Sequence, residues 1–140
     1  MGENGWTEAE KAAMKERAEE LRSERGGKKK ADALADLMAK VAEMPDAERL
    51  IAERIHSLVM AAAPRLEPRT WYGMPAWAKD GKVLCFFQPA TKFDSRYSTF
   101  GFQDVAALDD GVMWPASFAL TALGPAEAEQ ITELVTRAMG

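Results

Sequence analysis

Ala76-Trp77-Ala78-Lys79-Asp80-Gly81-Lys82-Val83-Leu84-Cys85-Phe86-Phe87 sets an Asp-Gly pair between two apolar, aromatic-rich runs. Asp-Gly is the strongest short hairpin signal, because both central residues of a two-residue type I′ turn need positive φ. The segment therefore predicts paired strands at 76–79 and 82–88. In the run from Val83 to Phe87 both alternating sets are apolar, which predicts a central strand covered on both faces. Outward from this hairpin the composition holds: eleven of the twelve aromatic residues lie between Trp71 and Phe118, the other being Trp6. Aromatic and β-branched residues fit a pleated surface, so further strands are predicted at 69–72, 96–102 and 117–122. The last of these sets Phe118, Leu120 and Ala122 on one side and Ser117, Ala119 and Thr121 on the other, which predicts one wetter face.

Before residue 64 the pattern is helical. Thr7 and Glu10 have capping-box spacing, and a helix is predicted over 8–24 with a thin apolar stripe of Met14, Ala18 and Leu21. Gly26 and Gly27 end it, and Lys28 to Lys30 read as a solvated joint. Leu34, Leu37, Met38 and Val41 recur at spacings of three and four, predicting a second helix over 31–43. Pro45 opens a third, to about Ala63, whose buried stripe is Ile51, Ile55, Leu58, Val59 and Ala62. Gly124-Pro125 opens a last helix to about 139, with Ile131, Leu134 and Val135 inward. Helices, then strands, then a helix indicate an α+β fold with a mainly antiparallel sheet. Ile55, Val59, Phe86, Phe118, Leu134 and Val135 are expected in its core.

The 140 residues fit one core. Lys plus Arg is 18 and Asp plus Glu is 22, a net charge of -4. Each side of Pro68 carries -2: 12 basic against 14 acidic before it, 6 against 8 after it. No basic patch suggests nucleic acid or a membrane surface. A lone Cys85 cannot form an internal disulfide, no basic start with an apolar run opens the chain, and no 18-residue apolar stretch occurs. A cytoplasmic protein is expected.

Nucleophilic catalysis needs an activated nucleophile with a base in reach, and His56 and Cys85 are single residues of their kinds. An apolar strand keeps a thiol inert, so Cys85 reads as a packing cysteine and His56 as a helix-edge histidine. No Gly-rich phosphate loop is present, no cofactor is implied, and the chain is not expected to be an enzyme. Asp104, Asp109 and Asp110 offer hard oxygen ligands for a cation such as iron. Their structural alternative is an N-cap at Asp104 of a one-turn helix and a turn at Asp109-Asp110-Gly111. The densest pattern is Thr70-Trp71-Tyr72-Gly73-Met74-Pro75-Ala76-Trp77. Gly73 and the pre-proline Met74 bend the chain there. Such a bend would bring Trp71, Tyr72 and Trp77 near one another, as core or as the wall of a ligand pocket. The binding site expected on that basis comprises Trp71, Tyr72, Met74, Trp77, Phe87 and Trp114, for a small organic molecule or a partner peptide.

Trp71-Tyr72-Gly73-Met74-Pro75-Ala76, preceded by Ala61-Ala62-Ala63-Pro64 and followed by the stretch from Lys79 to Phe86, resembles the YdhG-like family over about residues 45 to 139. These are small bacterial α+β proteins, some labelled intracellular iron chaperones by analogy with frataxin. The resemblance implies that fold, a division into an N-terminal helical extension, residues 1–44, and an α+β domain, residues 45–140, and, as an alternative function, iron handling by exposed carboxylates. Many members carry a Lys-Gly-Ser/Thr-aliphatic stretch entering the last strand, where this chain has Val112-Met113-Trp114-Pro115-Ala116-Ser117-Phe118.

Overall fold

The structure, a computed structural model, describes residues 5–27 and 29–140. The N-terminal residues 1–4 and Lys28 of the basic run lie outside them. The chain forms α1 (Glu8–Arg25), α2 (Lys30–Ala42), α3 (Asp46–Ala62), β1 (Glu67–Trp71), β2 (Met74–Lys79), β3 (Lys82–Gln88), β4 (Ser98–Phe102), β5 (Ser117–Leu120) and α4 (Pro125–Ala138). All strand pairs are antiparallel and the sheet order is β1-β2-β3-β4-β5, an α+β fold. No helix among the described residues is long and apolar enough to cross a membrane.

Local chemistry explains the element ends. Thr7 Oγ1 accepts from the Glu10 amide at 3.0 Å and Glu10 Oε1 from the Thr7 amide at 2.9 Å, a complete capping box for α1. Asp80 and Gly81 sit at φ 50° and 83°, the positive values a type I′ hairpin requires. The β1–β2 connection is the same device: Tyr72 and Gly73 sit at φ 54° and 74° between the paired Trp71 and Met74. The sequence predicts a Gly-Met-Pro bend at that place. The turn instead takes Tyr72 and Gly73, and Met74-Pro75 already belongs to β2. The one-turn helix predicted at Asp104 is absent. Residues 104 and 105 form a turn in which the Ala106 amide donates to Gln103 O at 3.0 Å, so Asp104 caps no helix.

Cross-strand register sorts the side chains. Trp77 stands opposite Cys85, Cys85 opposite Phe102, and Phe87 opposite Phe100. All of these lie on the face that packs against α2, α3 and α4. A β-bulge falls where Trp77 pairs Cys85 but Ala78 pairs Val83, leaving Leu84 as the extra residue. Leu84 and Cys85 are both wholly buried. The doubly apolar run in β3 thus reflects a bulge that brings two consecutive residues into the core. The opposite face carries Phe86, half-buried, whose ring lies over Gly101; a Cβ at Gly101 would stand 2.5 Å from Phe86 Cζ. Phe86 is therefore not a core residue. Phe118 is half-buried at the core's margin, whereas Ile55, Val59, Leu134 and Val135 are buried as expected.

The expected division at residue 45 cuts through this core. Leu37 and Val41 of α2 are 0% and 1% exposed and pack in the same cluster as Ile55, Val59 and Trp77. Only α1 stands apart, with Ala13 as its one buried residue.

Candidate functional site

The expected aromatic site does not assemble. Trp71 pairs with Met74, so it shares a face with Met74 and Ala76, while Trp77, an odd number of residues further on, points to the other face. Trp71 packs on Phe86, with ring centroids 5.4 Å apart, and edge-on to Tyr72 at 5.1 Å. Trp77 and Phe87 are wholly buried and Met74 nearly so, so none of the three offers a surface to a ligand. Trp114 packs half-buried against the core from the β4–β5 connection. Of the six residues, Trp71, Tyr72 and Met74 gather at the β1–β2 turn, while Trp77, Phe87 and Trp114 belong to the core side. Asp104, Asp109 and Asp110 are all exposed, and among the described residues no group of three or more His, Cys, Asp or Glu is placed to hold a metal ion.

A groove of about 780 Å³ lies elsewhere, where the start of α2, the end of α3 and β1 meet under the last turns of α1. Its apolar walls include Leu34, Met60, Leu66 and Pro68. Lys30, Arg65, Glu24 and Glu67 give it charges of both signs. His56 and Thr70 supply uncharged polar groups, and both face it from the helix-packed side of the sheet.

His56 is fixed by the core. The Trp77 indole Nε1–H donates to His56 Nδ1 at 3.1 Å and the two rings stack with centroids 6.1 Å apart. An accepting Nδ1 cannot carry the proton, so the neutral ring carries it on Nε2 and is a donor there. Burial lowers the His56 pKa below its ordinary 6.5, which favours that neutral form. Thr70 Oγ1 is buried and has no hydrogen-bond partner among the described residues. A buried hydroxyl without a partner costs on the order of 1–3 kcal/mol. Burial also pushes the Cys85 thiol well up, and with it goes any role as a thiolate nucleophile.

The groove's outer wall is α1, which contributes Glu20 and Glu24 and is held by charge. Glu20 takes both turn amides, Tyr72 N–H to Oε1 and Gly73 N–H to Oε2, each at 2.9 Å. Arg17 steadies it, 3.3 Å from Glu20 Oε1 and 5.9 Å from the centre of the Tyr72 ring. Glu16 bridges Lys40 at 2.9 Å and Lys92 at 2.6 Å. Burial opposes the Glu16 charge, but the hydrogen bonds from Lys92 and Lys40 outweigh it and hold the carboxyl below its ordinary 4.5. A Cβ on Gly73 would overlap the Glu16 carboxylate, which Lys40 and Lys92 hold in place, so this close approach as well as the positive φ favours glycine.

These shifts give a pH dependence. Folded His56 resists the proton that the unfolded chain accepts, so its contribution is whole above pH 6.5 and stability falls as pH drops below it. The Glu16 contribution is present above pH 4.5 and is lost as pH falls through the lower folded value. Denaturant midpoints should decline between pH 7.5 and 5.5 in the wild type and stay flatter in His56→Gln. Identical slopes in both proteins would show that His56 is not the titrating group.

No signal in the sequence marks this groove, because His56, Thr70 and Glu20 meet only through packing. Comparison with protein-family models, with curated proteins and with solved structures gives no match.

Proposed function

We propose that this chain is a binding protein for a small organic molecule and that the ligand lies in the groove between α2, α3 and β1. The observation that carries this reading is the unpartnered Thr70 hydroxyl, buried at considerable cost among the residues of that groove. The groove's uncharged donors, the Thr70 hydroxyl and the Nε2–H of His56, suit a ligand acceptor such as a carbonyl or ring nitrogen. Apolar walls suit a flat carbon skeleton, and the mixed rim suits a neutral or zwitterionic molecule over a strongly charged one. Binding is favoured over catalysis because the sole histidine is held neutral with its Nδ1 occupied and the sole cysteine is a buried thiol. On the 71–86 motif we also place the chain with the YdhG-like proteins, and on its single, buried thiol in the cytoplasm.

A panel of small heteroaromatic amides, titrated by NMR, tests the site. Saturable shifts are expected at the Trp77 indole, which reports on His56, and not at the Trp71 indole. Thr70→Val keeps the shape and removes the orphan oxygen. It should weaken binding tenfold or more while raising stability by about 1 kcal/mol. Shifts at Trp71 and Tyr72 with Trp77 silent would return the site to the aromatic bend. Ferrous iron added anaerobically is the control, and saturable broadening confined to Asp104, Asp109 and Asp110 would favour iron handling instead.

A further inference from the structure

β5 is the one sheet edge that the chain leaves both open and uncharged. At the other edge, Lys30 at the start of α2 forms an ion pair with Glu67 of β1 at 3.0 Å, and α2 packs along that strand. Among the described residues β5 pairs on one side only, with β4. Natural edges are ordinarily guarded by charged side chains. Here no charged residue occurs from 111 to 126, the longest uncharged stretch of the chain. Among the described residues the same stretch holds the two most exposed large apolar side chains, Val112 at 102% and Met113 at 87%.

The free backbone groups can be assigned from the ladder. Phe102 N–H donates to Ala116 O at 2.8 Å, one step beyond the register in which Phe100 pairs with Phe118 and Ser98 with Leu120. Antiparallel alternation then turns the amides and carbonyls of Phe118 and Leu120 toward β4 and those of Ser117, Ala119 and Thr121 outward. Ser117, Ala119 and Thr121 are exposed, and Phe118 and Leu120 are half-buried beside a cavity of about 320 Å³ that Ile131 and Leu134 of α4 line together with the polar Glu127 and Gln130.

We propose that β5 pairs antiparallel with β5 of a second copy of this chain, joining two sheets into one across a two-fold axis at Ala119. That register sets Ala119 against itself and Ser117 against Thr121, each with outward-facing donors and acceptors. It sets Phe118 opposite Leu120 on the α4 side, where the two copies' apolar side chains cover the cavity and extend the core. A second copy is favoured over a foreign strand because the edge is self-complementary. It is uncharged throughout, its outward faces are small at Ser117 and Ala119, and the two-fold satisfies the free groups in reciprocal pairs. The rest of the surface is mixed in sign and carries the net charge of -4, so two copies meet with least repulsion along this stretch.

Sedimentation of the full chain at tens of micromolar tests the proposal, with Ala119→Pro and Ala119→Lys as variants. Proline removes an amide that β4 does not use, and lysine sets two ammonium groups face to face at the axis. The wild type should sediment with twice its 15.4 kDa mass. Both variants should shift to monomer with unchanged far-ultraviolet circular dichroism. Monomeric wild type, or a dimer that persists in both folded variants, would overturn it. The first result removes the second copy from this edge and the second moves the interface elsewhere. Should Ala119→Pro fail to fold, Ala119→Lys decides alone, since its side chain lies on the exposed face.

Discussion

Trp77→Ala should lower the unfolding free energy by about 3–5 kcal/mol, against a total of about 5–15 kcal/mol for a domain of this kind. Trp77 is the largest wholly buried side chain and sits where β2, β3 and α3 meet. Its removal opens a cavity in the helix-packed core opposite Cys85. It also strips the donor from His56 Nδ1. Trp77→Phe separates the two effects: most of the burial remains, and the lost hydrogen bond should cost about 1 kcal/mol. In that variant the imidazole is free to change tautomer, which nitrogen chemical shifts would show directly. A loss below 1 kcal/mol for Trp77→Ala in denaturant unfolding would remove this residue from the centre of the core.

Glu20→Ala should release α1 while the sheet stays intact. A carboxylate accepting two backbone amides replaces two charge-assisted hydrogen bonds on loss, each worth about 1.5–3 kcal/mol. With Ala13 as its single buried residue, α1 has little apolar contact to compensate. Amide exchange along α1 and at Tyr72 and Gly73 should therefore quicken by an order of magnitude or more, with Phe87 and Phe100 unchanged. Since Glu20 and Glu24 wall the groove, fragment binding should change in the same variant. Equal exchange in variant and wild type would mean that α1 is held by something other than this clasp.

The two hairpin turns show what the sequence could and could not disclose. Asp80-Gly81 carries its own conformational preference and is legible at sight. Tyr72-Gly73 adopts the same turn against the preference of tyrosine, and it does so with a carboxylate from α1 on its amides, 52 positions away in the chain. Nothing local announces that partner. Strand positions were likewise legible from aromatic content, but facing was not. The expected aromatic cluster failed because a two-residue turn fixes Trp71 and Met74 as partners, and parity then sends Trp77 to the other side. Phe86 was misplaced for a related reason: the bulge at Leu84 shifts the alternation by one, and Gly101 leaves a seat for the ring on the open face. The groove needed α2 to be part of the core; its stripe of Leu34, Leu37, Met38 and Val41 marks a buried face, but the family resemblance sets the domain to begin only after α2.

The strand order has a consequence for how the chain reaches this state. Each strand pairs with the next in sequence, and the first two connections are tight two-residue turns, so β1 to β3 can zip with almost no loop to close. The connections from Gln88 to Ser98 and from Phe102 to Ser117 are longer, and the packing of α3 on α4 joins residues 46–62 to residues 125–138. Loop-closure entropy weighs on these three steps. The β1–β3 meander is thus the natural early structure, and the core on which Ile131, Leu134 and Val135 settle is complete only when the end of the chain arrives.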